Sequence, residues 1–449
     1  MRVERGDVLL DESNRIDHRA PPSYSCTVSE LDLTGLLREH VSRHPVPGAA
    51  LGILRDGEMS VACTGVASTA TGEPVTAETR FALGSLTKSM TATLVARLDE
   101  AGRLSLDDPV SAHVPELRDS GWAEQATVRD LLANRSRVPL CADLEFSASE
   151  GEGDDVLARV ATEIAAREPT GRSWSYTNVG WALAGRAIET VTGLAWEDAM
   201  RAELLAPLGL DQTTFATAPI AEPRASGHKL DVPVEPWTPR ALAPAGTTLL
   251  STLTDALRFA AAQLDDPALA ALRTPHAQIR IHGWFDAWCL GWAQFDWEGG
   301  RVWGWDGLIS GQRSVLRILP EHRSAVVLLT NGSTGRALYR SLFGDLMKAR
   351  FDLGVPPLQL EPSPGAAGDL SRFAGAYAWP DRKWTVTSTD AGLRMEGDGR
   401  TIEALPVDDR TFLVDAANPD NPTVTFGAFD GSGRPGALYV MLWGLPRVE

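Results

Sequence analysis

The alternation of apolar and polar positions predicts strands at both ends of the first 350 or so residues, with helices between them. Two apolar runs flank Asp56-Gly57, a pair that favours a hairpin turn. A helix pattern begins near Ser85, where apolar residues recur at four-residue steps, and stops near Gly102. Strand patterns return at 289–295, 314–318 and 325–329. We therefore expect a sheet with strands from both ends and an inserted helical region at about 105–275.

A second, smaller unit is predicted at the C-terminal end. Residues 354–368 contain four prolines and three glycines, which is typical of a linker. Residues 369–449 hold short alternating runs separated by Gly, Asp and Pro, which indicates a small antiparallel β domain. The expected organisation is an N-terminal extension (1–29), a main domain (30–353), the linker and this β domain.

Charge and composition exclude several partners. The 449 residues include 42 Lys+Arg and 59 Asp+Glu, for a net charge of -17, and no basic run that would bind a phosphate backbone. No stretch approaches the roughly 18 apolar residues of a membrane span or the apolar core of a secretory signal. Four scattered cysteines do not predict a disulfide framework or a zinc site. We expect a cytoplasmic protein without metal, cofactor, nucleic-acid or membrane partner.

Two Ser-x-x-Lys motifs are candidates for nucleophilic chemistry. On a helix, residues three apart share a face, so a serine hydroxyl and a lysine amine would lie side by side. Ser85 and Lys88 open the amphipathic helix pattern, whereas Ser226 and Lys229 lie in a stretch without helical periodicity. The first pair is therefore the stronger candidate. Its alternative interpretation is a helix cap followed by a solvated lysine.

A tyrosine and an asparagine form the second candidate, within SWSYTNVGWALAG at 173–185. Tyr176 near a lysine would relay a proton, because the adjacent positive charge lowers the pKa of a phenol. Asn178 would hydrogen-bond the lysine or a substrate amide. The alternative is a helix N-terminus with Thr177 or Asn178 as cap and Tyr176 in the core.

The third candidate is the run Trp305-Asp306-Gly307-Leu308. Gly307 would let a substrate lie along a strand edge, and the Leu308 N–H would donate to an oxyanion. The alternative is a hairpin turn at Asp306-Gly307 between aromatic core residues.

These three segments, in this order and spacing, resemble the serine β-lactamase and penicillin-binding-protein superfamily. Further segments are similar to its branch of class C β-lactamases, D-aminopeptidase-like enzymes, family VIII carboxylesterases and related acyltransferases. They include PGAALGIL (47–54), GRLSLDDPVSAHVPEL (102–117), PLGLDQTTF (207–215), APAG (243–246) and VVLLTNG (326–332). The resemblance implies an α/β fold in which an antiparallel sheet is flanked by helices and carries an inserted helical subdomain. AGAYAWP at 374–380 resembles the start of an appended lipocalin-like β domain, with a structural cap as its alternative role.

The resemblance also implies roles for the candidate residues. Ser85 resembles the nucleophile and Lys88 the general base, shared with Tyr176. Tyr176 would also protonate the leaving group, and Asn178 matches a supporting polar position. The backbone N–H groups of Ser85 and Leu308 would form the oxyanion hole.

Two departures from the family pattern affect the expected substrate. Trp305 replaces the Lys or His at the start of the third motif, and an indole suits neutral or bulky acyl groups. Asp306 replaces a small or neutral residue, and its alternative is a turn residue without a role in catalysis. The segment LLANRSRVPL (131–140) also departs from the family pattern, with Arg137 where glycine is expected, which changes the adjacent loop. Three arginines near this loop or the third motif are candidates for binding an anionic part of the substrate: Arg135, Arg137 and Arg313.

The function implied is acyl transfer through an acyl-Ser85 intermediate. The donor would be a small-molecule ester, thioester or amide, and the acceptor water or a small amine or alcohol in natural-product metabolism. One alternative is a D-amino-acid peptidase or a β-lactamase-type amide hydrolase. Another, of a different class, is a binding relative without catalysis.

Overall fold

The computed structural model describes residues 32–136, 138, 155–166, 173–217, 222–357, 360–379, 382–415 and 423–448. The predicted N-terminal extension and Arg137 lie outside these residues.

In chain order, the strands of the first 350 residues are β1 (Gly48–Arg55), β2 (Glu58–Gly65), β3 (Phe81–Ala82), β4 (Thr214–Phe215), β5 (His228–Lys229), β6 (Val232–Pro233), β7 (Leu249–Ser251), β8 (Ala287–Trp288), β9 (Ala293–Trp297), β10 (Gly300–Ile309), β11 (Gln312–Leu319) and β12 (Ser324–Thr330).

Seven of these strands form one antiparallel sheet in the order β2-β1-β12-β11-β10-β9-β8. The predicted pairing of strands from both ends is confirmed, since β1 pairs with β12 from Ala49↔Thr330 to Arg55↔Ser324. Asp56 and Gly57 both have positive φ in the turn between β1 and β2, as the hairpin prediction requires. The single strand expected at 289–295 is wrong: the chain turns between β8 and β9, with Gly291 at φ +73°.

Helices surround this sheet and fill the segment between its two halves. They are α1 (Leu33–Arg43), α2 (Thr87–Glu100), α3 (Val110–His113), α4 (Gly121–Gln125), α5 (Val128–Leu132), α6 (Val156–Ala165), α7 (Val179–Thr192), α8 (Trp196–Met200), α9 (Leu253–Asp265), α10 (Pro267–Ala270) and α11 (Gly335–Phe351). Short turns of 3-10 helix lie at Gly84–Leu86, Pro115–Leu117, Arg240–Ala245, Ala271–Arg273, Pro320–His322 and Leu370–Phe373, and a π turn at Arg201–Leu205. None of the helices in the described ranges has the length and apolar character needed to cross a membrane.

Helix α2 is more deeply buried than its sequence pattern predicts. Ten of its fourteen residues are buried, including Lys88 and four Ser or Thr residues, so it is a central helix rather than an amphipathic surface one. Three of these four hydroxyls donate inside the protein: Ser89 Oγ to the Gly291 carbonyl, Thr91 Oγ1 to the Pro244 carbonyl and Thr93 Oγ1 to the Ser89 carbonyl. The predicted stop is confirmed, since Gly102 has φ +65° directly after the helix.

The C-terminal residues form a second antiparallel sheet, as predicted. Its eight strands follow one another in chain order, and each pairs with its neighbours in the sequence. An isolated bridge between Tyr377 and Arg447 brings the first and last strands together, so the sheet is almost closed into a barrel. The strands are β13 (Gly375–Trp379), β14 (Arg382–Ser388), β15 (Leu393–Gly397), β16 (Arg400–Pro406), β17 (Thr411–Leu413), β18 (Thr423–Phe429), β19 (Pro435–Val440) and β20 (Trp443–Pro446). The domain boundaries given above stay predictions.

Candidate active site

Ser85 and Lys88 lie together at the start of α2. Ser85 is in the 3-10 turn Gly84–Leu86, which leads directly into the helix, and Lys88 is in the first helical turn. Gly84 has φ +54°, a conformation that glycine adopts without strain, and this allows the sharp entry from β3. The Lys88 Nζ lies 3.2 Å from the Ser85 Oγ. The structure therefore brings this Ser-x-x-Lys pair into contact.

The Lys88 side-chain nitrogen is fully buried and is held by two further oxygens. Lys88 Nζ donates to Asn178 Oδ1 at 2.8 Å and to the Ala245 carbonyl at 2.8 Å. The Ala245 carbonyl belongs to the 3-10 turn Arg240–Ala245 and was not among the residues expected from the sequence. The sequence marked this position only through the APAG segment that resembles the family, because a main-chain carbonyl is present in every residue and does not depend on the side chain.

Tyr176 and Asn178 approach Lys88 from the loop before α7. The Lys88 Nζ lies 4.7 Å from the centre of the Tyr176 ring. Asn178 occupies the N-cap position of α7 without a side-chain capping hydrogen bond, and its side-chain oxygen accepts from Lys88 instead. Asn178 therefore has the helix N-cap position that one interpretation predicted, and its side chain makes the hydrogen bond to Lys88 that the other predicted.

Gly307 and Leu308 lie on β10 beside the Ser85 turn. A Cβ atom on Gly307 would lie 1.8 Å from the Leu83 carbonyl oxygen, and one on Gly84 would lie 2.8 Å from the Leu308 nitrogen. Ser314 Oγ fixes the same contact by donating to the Leu83 carbonyl at 2.6 Å. The strand and the turn thus approach at main-chain distance, which only glycine permits here.

A cavity of about 600 Å³ opens at this junction. Its wall includes Ser85, Asn178, Gly246 and Leu308, together with Arg313. Arg313 was one of the arginines expected near the substrate, whereas Arg135 donates to the His276 carbonyl elsewhere. A second cavity of about 230 Å³ adjoins it, and both are lined by Val234, Trp237, Thr247, Ile309 and Ser310.

The second Ser-x-x-Lys motif does not form a pair. Lys229 is an exposed residue of strand β5 that lines the larger cavity, whereas Ser226 lines the smaller one. The preference for Ser85 and Lys88 agrees with this geometry. In the described ranges no cluster of three or more His, Cys, Asp or Glu side chains is arranged to hold a metal ion.

Comparison with known proteins shows the family to which this chain belongs. The family model described as Beta-lactamase matches residues 33–344. The chain belongs to the β-lactamase family. It is 32% identical over 363 residues to penicillin-binding protein 4 of Amycolatopsis lactamdurans, covering 75% of this chain and 94% of that protein.

Solved structures of two proteins are similar to this β-lactamase-family chain over most of their length. SurE is 30% identical with a TM-score of 0.76, covering 92% of this chain and 98% of SurE, and the same values hold for SurE with D-Leu. The D-amino acid amidase from Ochrobactrum anthropi SV3 is 25% identical with a TM-score of 0.59, covering 70% of this chain and 99% of the amidase. The first match extends into the C-terminal β domain.

Trp305 lies behind the site of this β-lactamase-family chain. Its indole was expected to face the substrate. Instead, the side chain is only 2% exposed and does not line the cavity described above. Its Nε1 donates to the Tyr176 hydroxyl at 3.4 Å, and its ring packs against Trp288 with centroids 4.7 Å apart. Trp305 therefore supports Tyr176 from within the core.

The turn interpretation of Asp306-Gly307 is wrong. Both residues lie inside β10, with Asp306 opposite Val315, and the chain reverses at Ser310-Gly311, where both φ angles are positive. Asp306 accepts from Arg317 Nη1 at 2.6 Å, so its carboxylate binds a buried guanidinium. This residue stabilises the sheet and does not line the cavity.

Proposed function

We propose that this chain is a serine acyltransferase that works through an acyl-Ser85 intermediate, with hydrolysis as the outcome when water replaces the acceptor. The observation that supports it most directly is the position of the Lys88 Nζ, buried and 3.2 Å from the Ser85 Oγ. Burial favours the neutral form of a lysine, which is the form that accepts a proton.

The partners of Lys88 support its role as the base. Asn178 Oδ1 and the Ala245 carbonyl only accept, so they engage two N–H bonds of a neutral amine. The remaining lone pair then faces Ser85, whose hydroxyl can donate to it. In acylation, Ser85 Oγ bonds to the carbonyl carbon of the donor as its proton passes to Lys88 Nζ.

Tyr176 completes the proton transfer in this proposal. As the bond to the leaving group breaks, the Tyr176 hydroxyl gives its proton to the leaving atom and is reprotonated from Lys88. The Trp305 N–H, 3.4 Å from the Tyr176 oxygen, stabilises the intervening phenolate. The acceptor then attacks the acyl carbon and gives its own proton to Tyr176, as Tyr176 passes a proton to Lys88. Lys88 in turn protonates Ser85 Oγ when the acyl bond to the enzyme breaks.

The oxyanion of the tetrahedral intermediate would be held by the N–H groups of Ser85 and Leu308. The glycines on both sides support this assignment, because Gly307 lets β10 approach the turn and Gly246 lets its own segment approach Ser85. A Cβ atom on Gly246 would lie 2.0 Å from the Gly84 carbonyl and 2.9 Å from the Ser85 nitrogen. Preorganised donors of this kind lower the barrier by several kcal/mol.

We place a D-configured residue at the acyl position of the donor. SurE was solved with D-Leu, and another neighbour is named a D-amino acid amidase. Two adjoining cavities with a shared wall offer room for a donor and an acceptor at once, which supports transfer over hydrolysis alone. The donor is a small-molecule ester or thioester and the acceptor a small amine or alcohol.

A D-amino-acid amide hydrolase is the second candidate. The observation in its favour is the 25% identity to the D-amino acid amidase, which covers 70% of this chain. Release of ammonia from D-leucine amide, with no product when amines are added, would favour hydrolysis over transfer.

The test is the mass of the intact protein after mixing with the p-nitrophenyl ester of N-acetyl-D-leucine. We expect a single acyl adduct on the wild type, little adduct with the L-enantiomer, and an adduct decay that added ethanolamine accelerates with formation of the amide. Ser226→Ala is the matched control and should acylate normally, while Ser85→Ala should not acylate, since loss of a serine nucleophile costs about 10⁶-fold in kcat. An adduct on Ser85→Ala would overturn the mechanism, and no adduct on any form would favour a binding protein without catalysis.

A further inference from the structure

A hairpin of the C-terminal β domain reaches the segment that carries Tyr176. This hairpin joins β19 to β20 through Met441 and Leu442, with Val440 paired to Trp443. The Tyr176 N–H donates to the Leu442 carbonyl at 3.0 Å. A residue of the candidate active site is thus hydrogen-bonded through its main chain to the second sheet.

A second hydrogen bond and a close contact lie next to the first. The Gly444 N–H donates to the Ser175 Oγ at 3.1 Å. A Cβ atom on Gly444 would lie 2.1 Å from the Trp174 carbonyl oxygen, so the main chains of these two segments are in direct contact. Residues 174–176 and β20 therefore fit together only because position 444 has no side chain.

The hairpin is docked firmly on the main domain. Tyr439 of β19 is 3% exposed and belongs to the main hydrophobic core, with its ring centroid 6.2 Å from that of Trp174. Leu442 packs against the same core. Met441 adopts φ +57° at the tip of the hairpin. This left-handed conformation is unfavourable for any residue other than glycine. The surrounding contacts hold this conformation in place.

On the other side, the same short segment is bound by the helical region. The Ser175 N–H donates to the Asn134 carbonyl at 3.0 Å, and Asn134 has φ +54° directly after α5. The main chain before Tyr176 is therefore held between Asn134 and Leu442. Removal of either support would free the phenol to move relative to Lys88.

We propose that the β19–β20 hairpin is a positioning element for Tyr176, so that the C-terminal β domain determines the rate of proton transfer to the leaving group. The inference rests on the proposed function in assigning that transfer to Tyr176. The hairpin acts through the main chain, and none of its residues needs to touch the substrate. A displacement of about 1 Å in a proton-transfer group is enough to cost about 10²-fold in rate.

The test compares two leaving groups in the full-length protein. The probes are the p-nitrophenyl ester and the methyl ester of N-acetyl-D-leucine. p-Nitrophenolate leaves without a proton, whereas methoxide requires one, so loss of the Tyr176 function affects the methyl ester far more. Partial unfolding would instead lower both rates by the same factor.

Three variants address the hairpin. Gly444→Ala forces β20 away from Trp174, and Ser175→Ala removes the acceptor of the Gly444 N–H, with Ser175→Thr as the conservative rescue. Gly431→Ala is the matched control, because this glycine is in the same domain with nothing within 4 Å of an added Cβ. We expect kcat/KM for the methyl ester, which reports acylation alone, to fall by about 10²-fold in Gly444→Ala, with kcat/KM for the p-nitrophenyl ester much less affected. Ser175→Ala should show a smaller loss of the same kind.

Each other outcome overturns the positioning role. Equal losses for both esters in Gly444→Ala and Ser175→Ala would mean that the hairpin only stabilises the fold, and wild-type rates in both would mean that it has no influence on Tyr176. Tyr176→Phe calibrates the leaving-group signature. If Ser85→Ala is inactive while the hairpin variants behave like wild type, this inference fails and the proposed function stands. If Ser85→Ala retains activity, the proposed function itself fails.

Discussion

The seven-stranded sheet and the C-terminal sheet bury different kinds of side chain. We call the part of the chain that contains the seven-stranded sheet and its helices the first unit, and the C-terminal sheet the second. In the described residues, buried charged side chains occur only in the first unit: Lys88, Asp255, Arg273, Arg313, Arg317 and Arg336. The buried polar residues of the C-terminal sheet are three threonines, Thr411, Thr423 and Thr425, around an aromatic core. Burial of a charge is costly unless it is paired, so the first unit maintains ion pairs and hydrogen bonds that the second does not need.

The difference separates two ways of contributing to a site. The first unit contains the side chains proposed to react and holds them in a polar arrangement around Ser85 and the buried Lys88. The second is an almost closed barrel that folds on apolar contacts and contributes main-chain groups at one hairpin. This comparison predicts that matched substitutions in the two units differ strongly in effect.

The largest expected difference concerns ion pairs. Asp306→Ala leaves the Arg317 guanidinium, 1% exposed, without its carboxylate and should lower the free energy of unfolding by about 3–5 kcal/mol. The matched substitution in the C-terminal sheet is Glu403→Ala, which breaks an exposed pair with Arg394 at 2.8 Å and should change stability little. Urea denaturation of both variants measures the two losses. Similar losses would contradict the comparison.

Glycine substitution in the first unit should separate activity from stability. Gly307→Ala places a Cβ atom 1.8 Å from the Leu83 carbonyl and displaces the Leu308 N–H, so acylation should slow by about 10²–10³-fold. Gly344→Ala is the control within α11, where nothing lies within 4 Å and alanine should raise the helix stability by about 0.5–1 kcal/mol. The burst of p-nitrophenol and thermal unfolding together measure both effects. An unchanged burst in Gly307→Ala would argue against Leu308 as an oxyanion donor.

The smallest expected effect depends on pH. Burial raises the pKa of Glu189 on α7 from 4.5 to about 7, although the Trp196 N–H at 3.2 Å and Arg186 at 3.6 Å both lower it. The folded state therefore binds this proton more tightly than the unfolded state does. The stability that protonation of Glu189 contributes to the folded state is fully present below pH 4.5 and is lost as the pH rises through about 7.

Glu189→Gln removes this titration and keeps an acceptor for the Trp196 N–H. Between pH 5 and pH 8, the stability of the variant relative to wild type should rise by on the order of 1 kcal/mol, since partial solvent exposure screens the effect. Unfolding curves at both pH values provide the check. A constant difference between the two proteins would show that Glu189 is already ionised at pH 5.

Local patterns in the sequence were sufficient for those features that depend on neighbouring residues. The Asp56-Gly57 hairpin, the helix after Ser85 and the proximity of Ser85 to Lys88 follow from turn preference and from the three-residue spacing on a helix. The short strands of the C-terminal sheet also follow from local alternation. In each case the residues that determine the geometry lie within a few positions of one another.

Tertiary structure alone decided the features that join distant segments. Asp306-Gly307 has the composition of a turn, but pairing with β11 extends the strand to Ser310-Gly311. The Ala245 carbonyl at Lys88 and the Leu442 carbonyl at Tyr176 are main-chain groups, which every residue possesses and no sequence pattern marks. Trp305 faces the core because the aromatic cluster around Trp288 encloses it. Side-chain chemistry is therefore visible in the sequence, while the main-chain partners that orient it depend on how the elements pack.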